Sequence, residues 1–513
     1  MLTRKMLSRI VLLIAIGSLT ACRGVAQEQV ATTRPSCCEG TWYPGEPAVL
    51  TKTVDDLLAK AAVPKVEGKP LAIIVPHAGY RFSAPVAATA YRALQGQTYK
   101  RVFLLGFSHR HAGSYQGVEV PTEWSAYQTT LGTVPLDREV MEKLKKERSF
   151  VSIAGVDREE HSLELQLPFL QQTIGQFKLV PLLVGQMSPP DYAAAGKAIF
   201  ELLDADTLLV ASSDFTHFGP GYGYEPFKDD VQKKLTDLAD KAAAPLLNCD
   251  FDGFAEHLEK TSDTICGRGP ILLLLRVLSM GGGGGAVAAR SGFDTSGHIA
   301  GDWTNSVTYQ AFVFTRRPPL MADPLRKELL RIARETVTSF VRERKVPQFD
   351  GGKLPAALRE DGACFVTLQN HGELRGCIGN MEARGPLWEA VVQNAVHACR
   401  DSRFVNNPVT PAELKDLHIE ISRLTPMKPV KNFDEIIIGR HGLLIELGMN
   451  HGVLLPQVAY ERGWTREEFL GQVCWKAGLP PEAWKKPEAK LYSFEAEVFG
   501  EPESTSQPSS QTR

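Results

Sequence analysis

The sequence has little net charge and no polyelectrolyte character. Its 57 lysines and arginines nearly balance its 59 aspartates and glutamates, leaving a formal charge of -2 over 513 residues. A nucleic-acid-binding surface normally appears as a basic excess, so the composition argues against a nucleic-acid partner. With 43% hydrophobic residues, the chain is long enough to bury at least two ordinary cores.

The sequence also lacks a disulfide framework and a phosphate-binding loop. Its nine cysteines have no regular spacing, which excludes a disulfide scaffold for a chain of this length. Cys37 and Cys38 are adjacent and would be strained as a mutual bridge, and we predict no role for them. The glycine run 281–285 lacks the Lys-Ser/Thr pair of a P-loop, which predicts a flexible loop instead.

The amino-terminal apolar stretch, residues 10–16, is too short to span a membrane comfortably. It follows Arg4 and Lys5 and precedes Leu19-Thr20-Ala21-Cys22, a pattern that resembles a bacterial lipoprotein signal with a lipid on Cys22. This pattern predicts a membrane-anchored bacterial lipoprotein that faces the periplasm or the cell exterior. An ordinary signal peptide or a misassigned start is the alternative; without a signal the protein would be cytoplasmic.

The chain divides into segments of different character. Alternating strand-like and helix-like stretches, proline-rich junctions and a Ser/Gln/Pro-rich end set the boundaries. The predicted segments are a lipoprotein signal (1–22), a linker (23–39), a first domain (40–317), a second linker (318–325), a second domain (326–500) and a disordered tail (501–513).

Three apolar segments of the first domain are each followed by a loop that carries a histidine. Continuous apolar runs such as 71–75, 102–105 and 208–211 are typical of buried parallel strands. The loops are Pro76-His77-Ala78-Gly79-Tyr80, Ser108-His109-Arg110-His111 and Ser213-Asp214-Phe215-Thr216-His217. Because groups beyond the carboxyl ends of parallel strands meet at one edge of the sheet, the pattern predicts one site built from several loops.

A fourth loop, Cys266-Gly267-Arg268-Gly269-Pro270, adds a thiol before a predicted apolar helix, 271–278. A helix amino terminus lowers the pKa of a thiol, so we expect Cys266 to be a thiolate. Neutral imidazole and thiolate together suit copper(I), iron or zinc, and two histidines with one cysteine leave a coordination position open. Taken singly, each residue also has a structural explanation in packing or hydrogen bonding. The shared strand-then-loop plan is what favours a metal or catalytic site.

An ordered series of motifs over residues 40–315 resembles the Memo family. The motifs are Trp42-Tyr43-Pro44, Pro76-His77-Ala78-Gly79-Tyr80, Gly106-Phe107-Ser108-His109, Glu160-His161-Ser162-Leu163-Glu164-Leu165-Gln166-Leu167-Pro168, Ser212-Ser213-Asp214-Phe215-Thr216-His217 and Cys266-Gly267-Arg268. The resemblance implies an α/β fold similar to class III extradiol dioxygenases, a three-layer arrangement with helices on both faces of the sheet. It also implies His77, His109 and Cys266 as ligands of an iron or copper ion, with Asp214 and His217 in the same pocket and His161 nearby.

The chemistry of these residue types suggests their roles. His217 is the best candidate for a general base because a neutral imidazole accepts a proton near neutral pH. Asp214 either orients His217 or a water, or caps its own loop. His161 and Glu164 share a helix face at i and i+3, which allows a supporting role at the site or helix capping. Because a thiolate replaces the dioxygenase carboxylate, a redox function fits better than ring cleavage.

The second domain is similar to the AMMECR family over about residues 326–500. The resemblance is carried by Leu374-Arg375-Gly376-Cys377-Ile378-Gly379 and by Cys364-Phe365-Val366-Thr367-Leu368, Asp401-Ser402-Arg403-Phe404, Gly439-Arg440-His441-Gly442-Leu443 and Leu454-Leu455-Pro456-Gln457-Val458-Ala459. It implies a smaller α+β domain, with strands around residues 365, 419–422 and 443–445. Arg375 could bind a carboxylate or phosphate, and Cys377 is a pocket candidate. The alternative is a glycine-rich hairpin turn with a buried cysteine.

The two resemblances together are those of proteins B and A of the AmmeMemoRadiSam system, which implies a radical SAM protein as a partner. Three functions compete: a metal-dependent oxidoreductase, a metal-binding or chaperone protein without turnover, and an interaction scaffold. A redox-related metalloprotein is favoured. Its substrate, a small molecule or a protein, stays open.

Overall fold

The computed structural model describes residues 32–111, 113–280 and 285–502. The predicted signal segment with Cys22, most of the glycine run and most of the predicted tail lie outside these residues. Two α/β domains follow each other along the chain, here called the first domain (33–316) and the second domain (323–500). The predicted mixed α/β architecture is confirmed.

Twelve strands build the first domain. They are Thr33–Arg34 (β1), Pro70–Val75 (β2), Arg101–Gly106 (β3), Val118–Glu119 (β4), Ala126–Thr129 (β5), Gly132–Pro135 (β6), Phe150–Val151 (β7), Lys178–Val184 (β8), Thr207–Ser212 (β9), His217–Phe218 (β10), Ala286–Thr295 (β11) and Ser306–Arg316 (β12). Nine of them form one mixed sheet in the order β10-β12-β2-β9-β3-β8-β4-β7, with β11 beside β12. The strands β1, β5 and β6 form a small separate sheet.

The middle of the large sheet is parallel: β2 pairs with β9, β9 with β3, and β3 with β8. These strands contain the apolar segments predicted from the sequence, and their bounds confirm those predictions within about one residue. Most of their residues are buried, as continuous apolar runs require. The parallel direction brings the ends Val75, Gly106 and Ser212 to the same edge of the sheet.

Among the residues that the structure describes, ten α-helices accompany the sheet. They are Pro47–Lys60 (α1), Tyr80–Tyr91 (α2), Arg138–Leu144 (α3), His161–Glu164 (α4), Leu167–Ile174 (α5), Pro189–Phe200 (α6), Val231–Leu247 (α7), Phe251–Thr261 (α8), Arg268–Ser279 (α9) and Ser296–Ala300 (α10). The connections β2-α2-β3 and β8-α6-β9 cross the sheet in opposite directions. Because such crossovers are right-handed, α2 and α6 lie on opposite faces.

The described segment before Gly40, which belongs to the predicted linker 23–39, packs against the first domain. Arg34 is completely buried, and its guanidinium donates to Glu164 at 2.8 Å and to the carbonyl oxygen of Glu160 at 2.9 Å. A buried arginine stays charged only where acceptors surround it, and these acceptors bind residues 34–39 to the first domain.

The second domain contains five helices and seven strands. They are Asp323–Glu343 (α11), Ala356–Arg359 (α12), Ala363–Asn370 (β13), Glu373–Gly379 (β14), Leu387–Ala398 (α13), Leu417–Leu424 (β15), Lys428–Pro429 (β16), His441–Leu447 (β17), Asn450–Leu454 (β18), Pro456–Arg462 (α14), Arg466–Lys476 (α15) and Lys490–Gly500 (β19). Its sheet has the order β14-β13-β15-β19-β17-β18, with β16 beside β19. The strands predicted near residues 365, 419–422 and 443–445 are confirmed.

The glycine-rich motif of the second domain is a strand, so its interpretation as a hairpin turn is wrong. The turn lies just before it, at His371 and Gly372, whose φ angles of 50° and 81° are those of a two-residue hairpin turn. Gly376 is required for another reason: a Cβ there would stand 2.1 Å from the carbonyl oxygen of Ala398. The strand can approach helix α13 this closely only without a side chain.

The two domains contact each other through buried charges. Arg466, at the first turn of α15, donates to Asp250 at 2.9 Å and to Glu256 at 2.8 Å in the first domain. Its third bond, at 2.8 Å, goes to the carbonyl oxygen of Ile436. Because Arg466 and Asp250 are both buried, this pair ties the domains together more firmly than a surface salt bridge would.

Candidate metal centre

Three histidines meet at the carboxyl edge of the parallel strands. His77 follows β2, His109 follows β3, and His161 begins helix α4. One ring nitrogen from each of them lies within 4.8 Å of the other two. The structure thus brings His77 and His109 together as the sequence predicts, and it adds His161 to the same group.

Two close backbone approaches hold this edge together. A Cβ on Gly106, the last residue of β3, would stand 2.5 Å from Oγ of Ser162 and 2.8 Å from Leu163. A Cβ on Gly267 would stand 2.3 Å from Cβ of Ser213. Glycine at these two positions lets helix α4 and the Cys266 loop reach the strand ends, so both are needed to assemble the site.

The two histidine rings are oriented by their Nδ1 atoms. Nδ1 of His109 lies 2.8 Å from a carboxylate oxygen of Glu160, which can only accept, so this nitrogen carries the proton. Nδ1 of His77 lies 2.9 Å from Oγ of Ser212. That hydroxyl already donates to the carbonyl oxygen of Ser162, so it accepts from His77. Both rings therefore keep an unprotonated Nε2.

Cys266 reaches the histidine group from one side. Its Sγ lies 3.1 Å from Nε2 of His77 and 3.4 Å from the carbonyl oxygen of Asp214. Burial, and then the nearby carboxylate of Asp214, raise the pKa of this thiol well above its ordinary value. Burial thus opposes the thiolate that the following helix predicts, and Cys266 as a metal-bound thiolate stays a prediction. The predicted His-His-Cys set is only partly assembled around His77.

His161 is the centre of a stack of rings. Its imidazole stacks on His109 with ring centroids 4.0 Å apart and on Trp42 at 4.4 Å. Burial, and then the neighbouring His109, lower the pKa of His161 to about 4, which keeps it neutral at physiological pH. Glu164, which shares the helix face of His161, binds Arg34.

Asp214 and His217 lie on the loop after β9. Oδ1 of Asp214 accepts the backbone N–H groups of His77 at 2.7 Å and of Ala78 at 3.2 Å, so it fixes the His77 loop. Burial raises the pKa of Asp214. Nδ1 of His217 lies 3.1 Å from the carbonyl oxygen of Thr264, which can only accept, and this leaves Nε2 of His217 as a proton acceptor.

Two clefts border the histidine group, and none of the described residues lines both. The first, of about 720 Å³, is lined by Cys266 and by Phe107, Tyr115, Tyr192, Gln186 and Arg268. The second, of about 580 Å³, is lined by His109, His161, Trp42 and the Cys37-Cys38 pair. The mixture of aromatic and polar side chains in the first cleft suits a small organic ligand.

Sequence reasoning missed the residues that orient the ligands. Glu160 is buried and fixes the orientation of the His109 ring. Ser212 fixes the ring of His77, and Gln166 supports Ser212 by donating to its Oγ at 2.9 Å. Burial alone would raise the pKa of Glu160, but its bonds to His109 and Ser162 hold it below the ordinary value. All three residues lie inside the motifs of the sequence, yet spacing carries no signal for their partners.

In the second domain, Arg375 is already paired. Its Nε donates to Oε1 of Glu413 at 2.8 Å, and Nη2 donates to the carbonyl oxygen of Asn407 at 3.2 Å. The guanidinium therefore forms an ion pair within the domain, and the carboxylate that it binds is that of Glu413. Cys377 is half-buried on β14; its N–H donates to Asp401, and its Sγ accepts from Thr367 at 3.3 Å.

Comparison with known proteins agrees with this architecture. The family model described as Memo-like protein matches residues 34–313, more than half of the chain. The AMMECR1 family model matches residues 330–499. The chain belongs to the Memo-like family, with a fused AMMECR1 domain. The resemblances to both families are thereby confirmed, whereas the domain boundaries predicted from the sequence stay a prediction.

Several relatives are similar to about a third of this chain. Protein TK0174 of Thermococcus kodakarensis is 46% identical over 186 residues, which cover 34% of this chain and 88% of the relative. A protein of Methanothermobacter thermautotrophicus is 42% identical over 190 residues, 36% of this chain and 97% of its own. The solved structure of the uncharacterized protein PH0010 from Pyrococcus horikoshii is 37% identical, covers 36% of this chain and 94% of its own, and has a TM-score of 0.33.

The predicted localisation is wrong. The relatives of this Memo-like protein in Thermococcus and Methanothermobacter are archaeal, which overturns the prediction of a membrane-anchored bacterial lipoprotein. The segment on which that prediction rested, including Cys22, lies outside the described residues. Within the part of the chain that the structure describes, no helix has both the length and the apolar character needed to cross a bilayer.

Proposed function

We propose that the Memo-like domain is a redox-related metalloprotein that binds an iron or copper ion through His77, His109 and Cys266. One observation carries this proposal: both imidazoles are fixed through Nδ1, so Nε2 of each ring, which for His77 lies 3.1 Å from Sγ of Cys266, is the nitrogen placed to bind an ion. Ligand histidines in metal proteins are typically held in this way, by a carboxylate or another acceptor on the second nitrogen.

The chemistry of the donor atoms, rather than their spacing along the chain, identifies the third ligand. Cys266 contacts Nε2 of His77, and because the pKa of its thiol is raised, it would release its proton to solvent only when a cation binds the sulfur. His161 offers a neutral nitrogen in the same group and could replace or supplement the sulfur. A sulfur ligand selects softer metal states, which favours copper or iron over magnesium or calcium.

The residues around the ion have distinct proposed tasks. When bound, the ion would supply electron transfer and polarise a ligand in the open position. His217, which lines neither of the two clefts, would accept a proton through Nε2, since its Nδ1 is bonded to Thr264. Asp214 would position the His77 loop and would not transfer protons, because its Oδ1 accepts the backbone N–H of His77.

The likeness to class III extradiol dioxygenases belongs to this proposal as well. The mixed sheet with ligands at its carboxyl edge is compatible with it. A thiol instead of the dioxygenase carboxylate argues against cleavage of an aromatic ring, so we propose redox chemistry on a small molecule in the first cleft. The radical SAM partner stays a prediction, and the AMMECR1 domain is assigned no reaction.

Metal analysis of variants tests the proposal. The full chain, purified without oxygen, should contain close to one equivalent of iron or copper at this site. Cys266→Ala should lose that metal, whereas Cys249→Ala, which removes a buried thiol elsewhere in the same domain, should keep it. If His161→Ala loses the metal and Cys266→Ala keeps it, the ligand set is wrong. Oxygen consumption with a reductant then separates a redox enzyme from a metal-handling protein, which would show none.

A further inference from the structure

Cys37 and Cys38 form a pair of thiols in the loop after β1. Their Sγ atoms are 3.6 Å apart, and the thiol of Cys37 donates to Oε2 of Glu164 at 3.2 Å. The two sulfurs and a carboxylate oxygen of Glu164 all lie within 4.8 Å of one another. The donor atoms of this group are two sulfurs and a carboxylate oxygen, whereas those of the histidine group are ring nitrogens, and the two groups share no residue.

The loop that carries the pair is held in place by other contacts. Glu164 accepts the backbone N–H groups of Cys37 at 2.9 Å and Cys38 at 3.0 Å. It also accepts from the hydroxyl of Tyr43 at 2.9 Å and from the guanidinium of Arg34 at 2.8 Å. The sulfurs are therefore positioned by backbone and neighbouring side chains, and a ligand would not have to order them.

We propose that Cys37, Cys38 and Glu164 form a second metal site, for a borderline-soft divalent ion of the zinc type. Two sulfurs bound at about 2.3 Å to one tetrahedral ion stand about 3.8 Å apart, close to the observed separation. With both thiols ionised, three negative groups face the single guanidinium of Arg34. A divalent ion neutralises that excess, which a monovalent ion would not.

The binding step releases two protons to solvent and forms two metal–sulfur bonds, with no change of oxidation state. An ion at Oε2 of Glu164 would take the place of the Cys37 S–H, beside the bonds that this oxygen accepts from Arg34 and from the backbone N–H of Cys37. A fourth position would face the cleft of about 580 Å³, which gives the ion a path of entry. A mutual disulfide is disfavoured, because adjacent Cα atoms are about 3.8 Å apart, closer than ordinary bridges allow.

Cobalt titration separates this site from the histidine group. Co(II) bound by thiolate gives a strong near-ultraviolet charge-transfer absorption. In the metal-free full chain carrying Cys266→Ser, this absorption should appear and should saturate near one equivalent. Adding Cys37→Ser and Cys38→Ser should abolish it, whereas adding Cys364→Ser, a buried thiol of the second domain, should not. The proposal is overturned if the Cys266→Ser protein shows no thiolate absorption, or if the signal survives loss of the pair.

A measurement on the unaltered chain guards against variants that fail to fold. Zn(II) at ten times its dissociation constant should slow alkylation of Cys37, the half-buried member of the pair, by iodoacetamide about tenfold, since only the unoccupied fraction reacts. Peptide mass spectrometry reports Cys266 separately, so failure here is distinguishable from failure of the histidine site. Equal alkylation of Cys37 with and without Zn(II) would contradict the proposal.

Discussion

Replacing Glu160 by glutamine should weaken metal binding without touching any ligand. One carboxylate oxygen accepts from Nδ1 of His109 at 2.8 Å and from the N–H of Ser162 at 2.8 Å; the other accepts from the backbone N–H of His109 at 2.7 Å. A carboxamide has only one acceptor oxygen. Its NH2 group must therefore face either the backbone N–H or Nδ1, and the second arrangement moves the ring proton to Nε2.

The expected size of the effect follows from these bonds. Loss of a partner that orients a ligand costs about 10- to 100-fold in metal affinity, equivalent to about 1.4 to 2.7 kcal/mol. The same change should lower the free energy of unfolding of the metal-free protein by about 1.5 to 3 kcal/mol, because a buried charge-assisted hydrogen bond is lost. Anaerobic competition against a chromophoric chelator, with Fe(II) and separately with Cu(I), measures the affinity.

The neighbouring Glu159 provides the matched control. It has the same side chain and pairs with Arg110, but it is more than half exposed. Glu159→Gln should therefore leave the metal affinity within about twofold of wild type, since exposed pairs contribute little. Wild-type affinity in Glu160→Gln, or equal losses in both variants, would refute the role assigned to Glu160.

Three further predictions concern stability. Arg466→Ala should lower the free energy of unfolding by about 3 kcal/mol or more in urea denaturation, because it leaves Asp250 buried without its partner; a loss below about 1 kcal/mol would contradict a firm domain contact. Burial, and then Asp157, raise the pKa of Glu119 to about 9, so its folded form keeps a proton that the unfolded form loses near pH 4. Between about pH 4 and pH 9, the free energy of unfolding of the wild type should therefore fall with rising pH by up to about 1.4 kcal/mol per pH unit. Glu119→Gln should flatten this pH dependence, and equal slopes in the two proteins would contradict the prediction. Gly376→Ala should be strongly destabilising in thermal denaturation because its Cβ meets backbone, whereas Gly372→Ala, in open space, should cost only about 1 kcal/mol of turn strain; similar losses would contradict the steric explanation.

Sequence predicts those parts of the site that follow from a hydrophobic pattern or from a residue's position directly after a strand. Apolar runs before His77, His109 and Asp214 predict strands, and strands predict where their loops converge. The pairing of Glu160 with His109 has no such signature, because it depends on how close helix α4 comes to strand β3. The charge state of Cys266 has a related limit: a helix terminus is visible in sequence, but the depth of burial that opposes a thiolate is not.

Similar limits apply outside the metal centre. Arginine is a residue type that binds anions, which is why the sequence suggests a carboxylate or phosphate ligand for Arg375. The structure shows that Arg375 pairs with the carboxylate of Glu413 in the same domain. Cys37 and Cys38 looked like part of a linker, because nothing near them in sequence reveals that Arg34 is buried against Glu164. In both cases the decisive partner is distant along the chain, and only the folded structure places it.

Anomalous diffraction from crystals of the full chain, grown without oxygen and loaded with iron or copper, tests the central claim most directly. The account predicts a peak at the metal edge between His77 and His109, about 2.0 to 2.3 Å from both Nε2 atoms and near Sγ of Cys266. The absence of a peak at this edge of the sheet, with metal bound only at surface carboxylates, would contradict it.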